Sequence, residues 1–202
     1  SSVIAAATPP NSPPPPPSLP APEPAKISNQ ITMQYALLNK DFLEKAALQI
    51  GGPSTAMMPK AKFESLMKEG GYQNLSTESH SLDSTQQARF SQVSQEPQTR
   101  ENIGILIDVG LTRSTDTAAD YKINIKRSIP TLNPQGELRV TSQDLSEVIT
   151  IPAGQVFVIA GLLPRKELYP NEDQLYRGSI LRVFLDPGFQ KYEQEFAIFI
   201  SQ

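Results

Sequence analysis

Apolar and polar residues alternate with a period of two in three segments of this chain. Ile31, Met33, Tyr35 and Leu37 alternate with Thr32, Gln34 and Ala36, the pattern of a half-buried strand. Ile103, Ile105, Ile107 and Val109 recur against Gly104, Leu106, Asp108 and Gly110, and Leu106 on the opposite face predicts a central strand. Tyr121, Ile123, Ile125 and Arg127 alternate with Lys122, Asn124 and Lys126, a strand with one solvated side. Helical spacing is confined to two short stretches. Phe42, Leu43, Ala46, Ala47 and Ile50 follow the capping residues Asn39 and Asp41 and are stopped by Gly51, Gly52 and Pro53. Pro59 opens the second, with Phe63, Leu66 and Met67 on one face and Gly70 and Gly71 as terminators. Met57, Met58 and Met67 read as filler of the core.

The strongest local signal is residues 147–163, where two β-branched runs flank Pro152, Ala153 and Gly154. Pro152 lacks a backbone donor and Gly154 can take positive φ, so the segment reads as a tight hairpin. A second hairpin is predicted from residues 72–82 and 88–93 around Asp83, Ser84 and Thr85. Its strands are rich in Ser and Gln, which predicts a wet face or an interface. Residues 114–120 read as a polar loop, 131–136 as a turn, and Leu138 and Val140 as a short strand before the first hairpin. Residues 164–178 carry Arg165, Lys166, Glu167, Glu172, Asp173 and Arg177 and read as a solvated loop. Two apolar strands, 180–185 and 196–200, close the chain around Asp186, Pro187 and Gly188. About ten strands and two short helices predict a mostly β fold, a β-sandwich of mainly antiparallel strands, with an immunoglobulin-like sandwich as the alternative topology.

Composition changes this picture at the N-terminus. Residues 1–27 hold ten of the 19 prolines and only one carboxylate, Glu23. Such a segment favours extended polyproline II and cannot bury a core, so it is expected to be a proline-rich linker or arm ahead of a single mostly β domain spanning 28–202. Pro13, Pro14, Pro15, Pro16 and Pro17 are the stretch that could dock in a groove of a partner. The formal charge of -3 and the absence of a basic cluster argue against nucleic acid as a partner. There is no cysteine for a disulfide, thiolate site or nucleophile. No apolar run approaches the roughly 20 residues of a spanning helix. Ser1 reads as the start of a processed chain or an arbitrary boundary.

Several segments carry a family resemblance. Residues 150–163, TIPAGQVFVIAGLL, resemble the signature of the bacterial secretins of type II secretion and type IV pilus systems: Pro152, Gly154, Gln155, Gly161 and Leu162 match, while Ala160 replaces the first glycine of the family's pair. Residues 195–201, EFAIFIS, are similar to the family's closing strand, and residues 101–112 to the segment that opens its β-domain. Residues 71–90 resemble a further family segment, with Leu75, Ser76, Gln87 and Ala88 in register. The order agrees over residues 30–202. Nothing between residues 164 and 178 resembles the Gly-rich gate that secretins carry after this signature, and the domain has little length to spare for membrane hairpins. The resemblance implies a secretin-like β-domain in an exported protein of the periplasm, outer membrane or cell surface, one that takes protein partners or self-associates without itself forming the pore.

Candidate chemistry adds little. His80 is the only histidine and sits among serines, where a surface role is the default. No acidic run has metal-ligand spacing, no phosphate loop or GxSxG elbow occurs, and nothing nominates a catalytic pair among the 21 carboxylates. No cofactor or metal and no enzymatic activity is expected. The expected function is that of a structural or interaction component of a cell-envelope assembly. A surface-displayed, adhesin-like binding module on a proline-rich stalk is the alternative.

Overall fold

The computed structural model describes residues 13–21 and 27–202. The remainder of the expected 1–27 arm lies outside the described residues. Pro13, Pro14, Pro15, Pro16 and Pro17 are exposed and belong to no helix or strand.

The first unit of the domain runs β1 (Gln30–Asn39), α1 (Lys40–Lys45), β2 (Ser54–Pro59), α2 (Lys60–Lys68) and β3 (Tyr72–Ser81). Asn39 caps α1 by accepting from the Phe42 amide at 2.9 Å, as its side chain predicts. The helix ends at Lys45, earlier than the expected glycine stop, because Ala47 turns to positive φ and Leu48 N returns to Leu43 O at 2.8 Å. Strand β2 was not legible in the sequence: it has only six residues and no apolar-polar alternation, with Met58 buried but Met57 exposed rather than filling the core. Beyond β3 come β4 (Gln87–Gln95), β5 (Asn102–Ser114), β6 (Ala118–Leu132), β7 (Leu138–Pro152), β8 (Gln155–Ala160) and, at the end, β9 (Gln194–Ser201).

Two antiparallel sheets face each other as a sandwich. One has the order β2-β8-β9-β1-β3, the other β4-β5-β6-β7. Ile105, Ile107, Tyr121 and Ile125 from the four-stranded sheet meet Tyr35, Phe157, Phe196 and Ile198 from the five-stranded one. The other face of the five-stranded sheet is covered by α1 and α2, whose Phe42, Leu43, Phe63 and Leu66 pack with Ala36, Val158 and Phe199. Strands β8 and β9 are therefore buried on both faces, and this is why they read as continuous apolar runs.

Both predicted hairpins cross between sheets. Strand β7 pairs with β6, whereas β8 pairs with β2 and β9, so the turn at Pro152, Ala153 and Gly154 joins opposite layers. Likewise β3 pairs with β1 and β4 with β5. Strand, tight turn and strand look alike in sequence whether the partner lies beside or above; the missing ladder decides it. The true meander is β4 to β7. Its β5–β6 turn needs only residues 115–117 where a seven-residue polar loop was expected, and β7 is one strand of 15 residues rather than a short strand followed by a hairpin arm.

Residues 180–185, expected as a strand, form a 3₁₀ helix. The run ILRVFL buries Ile180, Leu181, Val183 and Phe184, and a six-residue apolar stretch has no period that separates strand from helix. Ser179 caps it, accepting from the Leu181 amide at 3.1 Å. Short helices α3 (Asp173–Tyr176) and α4 (Pro187–Gln190) flank it, the latter with Pro187 in its first turn and Asp186 as cap.

Candidate functional site

The two open sides of the sandwich are finished differently. At the β3/β4 side, side chains satisfy the exposed edges. Glu78 accepts from the Ser91 amide at 3.2 Å and from Gln92 Nε2 at 2.5 Å, and Gln92 Nε2 also donates to Ser76 Oγ at 3.0 Å. Arg182 Nη2 donates to the Leu75 carbonyl at 2.5 Å. Ser76 and Gln92 thus serve a seam, while Ser79, Ser81, Ser91 and Gln95 on the same strands are exposed, so the expected interface and wet face are both present. His80 is part of it, half exposed, with its ring 4.9 Å from Phe90 and Nε2 3.1 Å from Glu78 Oε2.

The β2/β7 side is left open as a groove of about 670 Å³. Its apolar lining comes from Ile105, Ile125, Ile159, Leu162 and Leu145, and its rims from residues 51–55 on one side and Gln143, Asp144 and Glu147 on the other. A volume of this size lies within the range of roughly 300–1,000 Å³ typical of ligand sites. Strand β7 forms the outer edge of the four-stranded sheet, and residues 141–148 are all exposed.

Polar contacts made by two arginines and one buried carboxylate hold the walls. Arg127, at a core-facing position of β6, donates to the Leu162 carbonyl and to Gln143 Oε1, and burial lowers the pKa of its guanidinium. Leu162 reaches that position because Gly161 turns at φ +81, with a Cβ there falling 2.1 Å from the Gly52 carbonyl oxygen. Arg165 donates to both oxygens of the fully buried Glu195 at 3.1 and 2.9 Å, to Phe189 O at 2.8 Å and to Gln194 O at 2.6 Å, and its guanidinium stacks on Phe189 and Tyr192. Glu195 also accepts from the Gly51 amide at 2.9 Å, so one carboxylate ties the start of β9 to both neighbouring loops.

Lys166 pairs with the buried Glu172, which also accepts from Tyr176 Oη at 2.8 Å, while Lys166 Nζ donates to Pro130 O at 2.7 Å. The expected solvated loop over residues 164–178 is therefore wrong where it matters: Arg165, Lys166 and Glu172 are internal charges held as pairs. Tyr169 lies beside this cluster with its hydroxyl unpartnered, and burial, then Glu172 and Glu96, push its pKa up to about 12.

The secretin-like residues divide between two places. Gly161 and Leu162 line the groove. Pro152, Gly154 and Gln155 lie at the crossing from β7 to β8, where Gly154 has φ +76 and its carbonyl accepts from Lys60 N at 2.9 Å. The groove residues Arg127, Asp144, Glu147 and Arg165, and Glu195 buried behind them, were not singled out as a site from sequence. One signal was present: Arg127 continues the inward series of Tyr121, Ile123 and Ile125, where a charge needs a partner. Among the described residues no group of three or more His, Asp or Glu is placed to hold a metal ion, and no helix is long and apolar enough to cross a membrane.

No protein-family model and no curated protein matches the chain. Among solved structures, it is similar to the type II secretion system secretin GspD of E. coli K12, determined by electron cryomicroscopy, at 12% identity and a TM-score of 0.32. The match covers 85% of this chain and 47% of that one, so the chain spans about half the length of the secretin.

Proposed function

We propose that this protein is a non-enzymatic structural and interaction component of a bacterial cell-envelope assembly, of the type II secretion or type IV pilus kind, and that it does not itself form the pore. Strand β7 carries the interaction part of the reading. It is a 15-residue edge strand, exposed through residues 141–148, beside an apolar groove. An exposed edge of this length is a template for another chain, and monomeric proteins normally blunt such edges. The secretin-like order of the sequence segments supports the kind of machinery, and two of those segments lie side by side as β8 and β9.

The outward face of the four-stranded sheet supports a role outside the pore. Its central positions carry Lys122, Asn124 and Lys126 on β6, across from Val148, Ser146 and Asp144 on β7. A strand facing lipid presents apolar side chains at such positions. The proline-rich residues ahead of the domain serve as a spacer or docking arm, and the protein acts in the periplasm, at the outer membrane or on the cell surface.

Tagging the chain at its native locus and fractionating cells tests this. Recovery with envelope components is the expected result, and a soluble cytosolic protein without envelope partners is the result that overturns it.

A further inference from the structure

We infer that the β2/β7 groove receives an extended peptide segment of another protein, added antiparallel to β7 and carrying a basic residue two positions before an apolar one. The inference rests on the interaction role above and names the chemistry of the partner.

The argument starts from register. Strand β7 pairs with β6 along one edge throughout its length, Leu145 facing Ile125 and Glu147 facing Ile123, and its other edge borders the groove. Residues two apart on a strand share a face, and directly opposed side chains on neighbouring strands lie about 5 Å apart. An incoming strand would therefore place one side chain against Leu145, over Ile105, Ile125 and Ile159. That position has an apolar floor and calls for Val, Ile or Leu.

Two residues along, the same face meets Glu147. Neither Glu147 nor Asp144 has an ion-pair partner among the described residues, and Lys126, across from Asp144 in the register, does not close one. The arginines nearby are committed elsewhere, Arg165 to Glu195 and Arg127 to Leu162 and Gln143. The open edge therefore presents two carboxylates that close no ion pair among the described residues, one on each face, around a single apolar position. Its complement, in antiparallel order, is a basic residue, any polar residue, an apolar residue, and a second basic residue. Every strand pair in the two sheets is antiparallel, so the added strand continues the existing ladder.

The probe is a fluorescein-labelled peptide of about eight residues, threonines and one valine, with lysines set opposite Glu147 and Asp144 and the valine opposite Leu145. Against the whole chain, anisotropy is expected to rise saturably, and amide exchange across residues 141–148 to slow. Glu147→Lys is expected to weaken binding by about tenfold or more through like-charge opposition. A peptide with glutamate in place of the first lysine is expected to recover that loss, which a misfolded variant would not allow. Absence of binding, indifference to Glu147→Lys, or protection at β2 instead of β7 would overturn the inference. So would protection of residues 141–148 without peptide together with a dimeric sedimentation coefficient, since a second copy would then occupy the edge. A failure here leaves an envelope location standing, and a cytosolic location leaves peptide binding standing, so the two readings fail separately.

Discussion

Gly161 has two separate reasons to be glycine, and substitutions can separate them. Its φ of +81 disfavours any side chain, and a Cβ there would meet the Gly52 carbonyl oxygen at 2.1 Å. Gly136 has nearly the same φ, +80, with nothing within 4 Å of its Cβ position. Gly136→Ala is therefore expected to cost about 1 kcal/mol from backbone conformation alone, and Gly161→Ala roughly 3 kcal/mol or more, read from urea midpoints. Equal costs would show that the contact with Gly52 gives way easily. The tyrosines supply a prediction in pH. Burial raises the pKa of Tyr35, Tyr121 and Tyr176 above the ordinary 10.0, as it does that of Tyr169, whose value is about 12. A group protonated more firmly in the folded state contributes stability that is complete below the unfolded pKa and is lost as pH rises through the folded one. Stability is expected to hold up to about pH 10 and to fall between pH 10 and 12. Tyr35, Tyr121, Tyr169 and Tyr176, four of the six tyrosines, should ionise above the ordinary value near pH 10. Tyrosinate absorbance that reaches its full value near pH 10, with circular dichroism unchanged, would contradict this.

At the scale of elements, the chain after β8 shows how charge and burial were misjudged together. Arg165 and Lys166 follow an apolar strand and precede a charged stretch, so composition alone makes them solvated. The fold instead carries them inward to Glu195 and Glu172, carboxylates supplied from 30 and 6 residues away. Glu195→Gln leaves the guanidinium of Arg165 buried without its counter-charge and is expected to cost roughly 3–5 kcal/mol. The double substitution Glu195→Leu with Arg165→Met removes both charges and is expected to cost less than that single change. A loss as large for the pair as for Glu195→Gln would mean that the stacking on Phe189 and Tyr192, rather than the ion pair, holds this segment.

At the scale of the whole molecule, the sandwich is closed by side chains on one side and left open on the other. That asymmetry motivates its reading as an interaction domain. The proline-rich residues tie into the same reading through a deletion. Removing residues 1–26 is expected to leave the melting temperature within about one degree, since Pro13, Pro14, Pro15, Pro16 and Pro17 are exposed, while reducing recovery of envelope partners. A large drop in melting temperature would make the segment part of the fold. Unchanged recovery of partners would leave β7 as the surface that holds the assembly.

Alternation of period two is a local property, and so β1, β5 and β6 could be read directly, as could the start of the Asn39-capped helix and the positive φ at Gly154. The mostly β, antiparallel sandwich followed from the number of such segments and the turns between them. What sequence could not supply was which strands pair. A turn such as Pro152, Ala153 and Gly154 has the same local chemistry whether it joins neighbours in one sheet or crosses to the facing sheet, because the deciding hydrogen bonds come from β6 on one side and β9 on the other. The groove follows from that choice. Asp144, Glu147 and Leu145 become a site only because β7 ends its sheet as an edge, and Arg127, Arg165 and Glu195 become its supports only because distant segments meet there. Spacing along the chain carries the first kind of information, and only tertiary contact carries the second.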